Sequence, residues 1–125
     1  MPSTDTPHEL APAQRATLID VAQRSIEHGL DSGRPLVVAP SEFHRDLKAV
    51  RASFVTLHIH DQLRGCIGHL EAVQPLVVDV AENAFAAAFR DPRFSPLTRV
   101  EWPNVELHLS ILTPPERLAV RDEAE

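Results

Sequence analysis

Helices and antiparallel strands in mixed order predict an α+β fold: a mixed, mainly antiparallel sheet covered by helices. Three observations carry that expectation. Apolar residues recur at helical spacing in two stretches, around residues 18–30 and 76–89. Two adjoining runs, 53–59 and 63–70, are short enough and close enough in sequence to form a hairpin. A last run, 105–111, alternates apolar and polar residues and reads as a strand buried on one face.

In chain order, residues 1–11 mix Pro, Ser, Thr and acidic residues without periodicity, which predicts a disordered tail before a single domain over 12–125. Pro12 suits a first helical turn, where its missing N–H costs nothing. Leu18, Ala22, Ile26 and Leu30 repeat every fourth residue, Ile19 widens the stripe, and Gly29 or Gly33 can supply a left-handed cap. Residues 34–50 read as loop, with a short helix over 41–47 that Ser41 could cap.

From 53 to 59, Val55, Leu57 and Ile59 share one strand face, and Phe54, Thr56 and His58 the other. The partner strand follows a loop at residues 60–62, whose His60-Asp61 tolerate positive φ less well than glycine does. The loop decides a chemical question. An even loop puts Cys66 and Arg64 on the face of Val55, whereas an odd loop or a bulge brings Cys66 onto the face of His58.

Pro75 opens the second helix, which alanines at 81, 84 and 86–88 allow close to the sheet, and Asp91-Pro92 ends it. Residues 98–101 spell a capping box ahead of a one- or two-turn helix stopped by Pro103. Pro114-Pro115 closes the final strand and a charged end follows.

Composition narrows the function. The 125 residues are 43% hydrophobic but only 5% aromatic, enough for one core of mainly Leu, Val, Ala and Ile. A net charge of −6, with Lys48 the single lysine, argues against nucleic acid as a partner. One cysteine forms no internal disulfide, the amino terminus lacks a signal pattern, and no run approaches the roughly 18 apolar residues of a membrane span. The expectation is a cytoplasmic, reduced protein.

Chemistry concentrates in Leu63-Arg64-Gly65-Cys66-Ile67-Gly68, which holds two of the four glycines and the only cysteine. Gly65 and Gly68 in a strand imply that a backbone or ligand comes close. Cys66 between them is a candidate nucleophile, and Arg64, two residues away, is its candidate partner cation, since a guanidinium favours the thiolate. Equally, a lone strand cysteine serves as a small buried hydrophobe. His108, on another strand, is the candidate base, with Glu106 or Asp91 to orient it. The histidines at 58, 60, 69 and 108, with Cys66 and Glu106, offer metal ligands. HxxxH, HExxH and paired CxxC spacings are all missing, so no metal is expected. Without GxGxxG or a Walker lysine, no nucleotide cofactor is expected either.

The motif at 63–68 resembles the signature of the AMMECR domain family, also called protein A of the AmmeMemoRadiSam system. Agreement extends to Phe54-Val55-Thr56-Leu57, to the block at 87–94, to Pro96-Leu97-Thr98 and to the block at 109–113. The resemblance implies a mixed α+β domain in two unequal lobes, of poorly defined biochemistry. It implies Memo-like and radical SAM proteins as partners in a modification reaction that uses Cys66. It also carries Asp91, Arg93 and Phe94 along with the motif, so Gly65, Gly68, Asp91 and Arg93 become candidate substrate-binding residues. Family members usually continue for several tens of residues beyond the segment like 109–113, which implies that the domain here is partial. The competing reading is a non-catalytic interaction or scaffold domain, with residues 63–68 a packing motif.

Overall fold

The computed structural model describes residues 10–112; of the tail expected over 1–11, residues 1–9 lie outside them, as do the Pro114-Pro115 stop and the charged end, whereas Leu10 packs against the core and Ala11 is the N-cap of the first helix. Helix α1 (Pro12–Ser32) starts at its proline and buries Leu18, Val21, Ala22 and Ile26. Gly33, at φ 77°, supplies the left-handed cap, and its N–H donates to the Gly29 carbonyl at 2.8 Å. Gly29 itself lies within the helix.

The single short helix expected over 41–47 is two pieces instead. A 3-10 turn at Pro40–Glu42 precedes helix α2 (Arg45–Lys48), with Phe43 extended between them. The cap is His44 and not Ser41: its Nδ1 accepts from the Asp46 N–H at 3.1 Å, so a ring nitrogen does the work assigned to a hydroxyl.

Strands β1 (Ser53–Ile59) and β2 (Gln62–Gly68) form the hairpin, helix α3 (Leu76–Phe89) follows, and β3 (Val105–Ile111) is the third strand of the sheet among the described residues. All pairings are antiparallel, in the order β2-β1-β3. The capping box closes as read: Thr98 N–H donates to Glu101 Oε1 at 3.0 Å, and Glu101 N–H to Thr98 Oγ1 at 3.3 Å. What it introduces is a tight turn running into the 3-10 segment Trp102–Asn104, which Pro103 joins and does not stop.

Both long helices lie on one face of the sheet. α3 crosses β1 and β2 and packs beside α1. The core between the layers holds Val55, Leu57 and Leu109 from the sheet and Val77, Val80, Ala84 and Ala88 from α3, all at most 5% exposed. Burial on this scale is the main stabilising contribution, at about 25 cal/mol per Å² of apolar surface. The opposite face, with Phe54, Thr56, His58, Glu106, His108 and Ser110, carries no helix among the described residues.

The hairpin turn is two residues long, and His60 and Asp61 both adopt positive φ, 51° and 65°, as a type I′ turn demands. Taken alone this even turn would put Cys66 on the core face. A bulge overrides it: Leu57 pairs with Gly65 but His58 with Leu63, so Arg64 is the extra residue. The slip by one places Cys66 opposite Thr56 and turns it onto the open face.

Candidate functional site

With Gly65 swung to the helix side, a Cβ there would sit 2.1 Å from the Ala87 carbonyl oxygen of α3. Only a bare Cα lets helix and hairpin approach this closely. A Cβ at Gly68 would meet the Phe54 ring at 2.4 Å and the Ser53 carbonyl at 2.5 Å. The close approach read from these glycines is therefore made by the protein itself.

Cys66 is half-buried between them, and its Sγ lies 3.2 Å from Thr56 Oγ1, either atom being able to donate. Its backbone is pinned from outside the sheet. The Cys66 N–H donates to Asp91 Oδ2 at 3.0 Å, and its carbonyl accepts from Arg93 Nη2 at 3.5 Å. Asp91 and Arg93 are themselves joined at 2.7 Å and 3.0 Å, so the loop after α3 plugs the free edge of β2 with a fork of opposite charges. Asp91 is 4% exposed. Its carboxyl is held well below the ordinary carboxylate range, first by the Arg93 side-chain hydrogen bond, with burial opposing, and then by the N–H groups of Arg93 and Cys66. The same hydrogen bond raises Arg93 above its usual value, with burial opposing and the charge of Asp91 adding to it.

Arg64, expected beside the thiol, is occupied elsewhere. Its Nε and Nη2 donate to Glu101 at 2.9 Å and 3.0 Å, and Nη2 also reaches the Ser95 carbonyl. Glu101 is lowered to about 2, chiefly by that bond, against burial and with help from Thr98. Arg64 and Arg93 flank the ring of Phe94, at 5.7 Å and 5.5 Å from its centroid. The guanidinium next to Cys66 is thus that of Arg93, because the bulge sends Arg64 to the 95–101 loop.

His108 shares the open face but not direct contact. Thr56 pairs with Cys66 on one side and with His108 on the other, so cysteine and histidine stand two strands, about 10 Å, apart. His58 packs edge-on against His108 with centroids 5.3 Å apart, and its Nδ1 is enclosed without a partner among the described residues. Glu106 lies 3.9 Å from His108, both exposed. No cluster of three or more His, Cys, Asp or Glu side chains able to hold a metal occurs among the described residues.

One polar group escaped the sequence reading. Ser53, Asp79 and Asn83 are all buried: Ser53 donates to Asp79 at 2.6 Å, and Asn83 Nδ2 donates to Asp79, to Ser53 Oγ and to the Ser53 carbonyl. Gln74 adds a bond to Asp79, and His69 stands 3.8 Å from it. The signal was present as two polar residues four apart on the apolar side of a helix.

The AMMECR1 family model matches residues 19–125. A protein of Methanothermobacter thermautotrophicus is 38% identical over 87% of this chain and 56% of its own length. One from Methanopyrus kandleri is 39% identical over 86% and 53%. The crystal structure of an uncharacterised protein from Pyrococcus horikoshii superposes with a TM-score of 0.72 at 34% identity, covering 78% of this chain and 50% of that one. The chain spans about half the length of these relatives. With the family model covering the sheet, α3 and the motif at 63–68 alike, this chain belongs to the AMMECR1 family.

Proposed function

We propose that Cys66 is the reacting group of a modification site on the open sheet face, working with Memo-like and radical SAM proteins. The observation that carries it is the bulge at Arg64, which turns the thiol out of the core and sets it against the Thr56 hydroxyl. A packing cysteine needs no such slip. In this reading Cys66 is nucleophile or acceptor and Arg93 supplies positive charge beside it. Arg64, through Glu101 and the Ser95 carbonyl, ties the 95–101 loop to β2. His108 serves as base only through an intermediary, the Thr56 hydroxyl or a water. Asp91, Gly65 and Gly68 hold the strand in place for the substrate.

A scaffold role is the second reading, favoured by the contacts that a Cβ at Gly65 or Gly68 would meet within the protein. One experiment separates the two. The chain is co-expressed anaerobically with the two partner proteins, and its intact mass and peptides are then read by mass spectrometry. An adduct on Cys66 that disappears in Cys66→Ser supports the modification site. An unmodified thiol in a stable complex with the partners supports the scaffold.

A further inference from the structure

A cleft of about 260 Å³ opens between the β2 edge and the outer side of α3, away from the thiol face. Ile67, Phe85, Asn83, Glu82, His69 and Arg90 are among the residues that line it. Asn83 is 1% exposed, and its amide orientation is set by chemistry: the atom facing the Ser53 carbonyl must be the donor Nδ2. All its Nδ2 bonds run inward, to Ser53 and Asp79, which leaves the carbonyl Oδ1 as the acceptor on the cleft side. Arg90 lies over the Phe85 ring at 5.2 Å and brings a positive charge to the cleft.

The backbone beside the cleft is also available. Asp91 and Arg93 show that the N–H and C=O of Cys66 point off the sheet edge. In an antiparallel strand the residue two positions on points the same way, so those of Gly68 do too, while the His69 N–H turns inward to Ser53 at 3.3 Å. At residue 66 the protein fills this edge with its own side chains; at residue 68 no partner meets it among the described residues.

We infer that this cleft binds a short extended peptide segment. The segment pairs its backbone with Gly68, gives an amide N–H to Asn83, lays one apolar side chain on Ile67 and Phe85, and directs a carboxylate to Arg90. The mode is strand addition to a sheet edge, with main-chain bonds for affinity and a side-chain pocket for selectivity. It is independent of any reaction at Cys66.

The test uses the full chain, 15N-labelled, titrated with the peptide acetyl-Ser-Val-Leu-Val-Asp. Binding should shift the amides of Gly68 and His69 and the side-chain amide of Asn83. Arg90→Glu, at an exposed position, should weaken this peptide about tenfold, or 1.4 kcal/mol, and favour the same peptide ending in lysine. Ala86→Trp, which puts a bulky ring at another residue lining the cleft, should abolish binding. Absence of shifts at millimolar peptide, equal binding of a peptide N-methylated at leucine, equal competition by free leucine, or shifts centred on Thr56 and His108 would each overturn the assignment. Should the tryptophan variant not fold, the charge swap at Arg90 decides alone.

Discussion

Asp91 shows how one carboxylate can organise a strand edge. It accepts from Cys66, from the Arg93 backbone and twice from the Arg93 guanidinium while almost sealed from water. Asp91→Ala removes the charged acceptor from all of these donors at once, and the expected cost is about 1.5–3 kcal/mol, read from urea midpoints at pH 7. Asp91 and Glu101 share a pH dependence. Both titrate lower in the folded protein than in the unfolded chain, so their contribution is complete above the unfolded values and is lost as pH falls through the folded ones. For Glu101 that window runs from 4.5 down to about 2. Glu101→Gln should flatten the stability profile across it, and only modestly, because the group is one-third exposed and screened by salt. A profile of unchanged slope would show that the Arg64 pair contributes nothing to folding.

Among the elements, the β1–β2 hairpin and its contact with α3 carry the sharpest constraints. Gly65→Ala drives a methyl group into a backbone carbonyl that cannot turn aside, and helix and strand must separate. The expected loss is about 3 kcal/mol or more, at the upper end of overpacking. Gly33→Ala is the control, with open space around it and only its φ of 77° to pay for, about 1 kcal/mol. In the turn, Asp61 holds φ 65° without being glycine, and Asp61→Gly should stabilise the hairpin by up to about 1 kcal/mol. Existence and type of these elements were legible from the sequence because period two and period 3.6 show directly which side of a strand or helix is apolar. The α2 region was not legible. With one buried residue, Leu47, in four, it has no periodicity to read.

At the scale of the molecule, among the described residues two helices cover one face of a three-stranded sheet and leave the other open, with β1 paired on both sides. Hydrogen exchange should follow the ladder. β1 amides should exchange slowest. On β3, Glu106, His108 and Ser110 face β1 and should be protected, whereas Leu107 should exchange fast, since Arg15 reaching the Leu109 carbonyl marks the alternate residues as pointing outward. Equal protection along β3 would mean that its outer edge is paired in solution.

By itself the sequence determined the α+β class, both long helices, the three strands to within two residues and the motif that marks the family, because hydrophobic period and turn residues act locally. Which face receives Cys66 was decided only in three dimensions. A one-residue bulge costs little along the chain, yet it reverses every side chain beyond it, and whether it forms depends on the approach of α3 to Gly65. The same holds for Arg93 in place of Arg64 at Cys66 and for the bonds that join Ser53 to Asp79 and Asn83, which span 26 to 30 residues of chain. No local pattern records a partner at that distance; packing selects it.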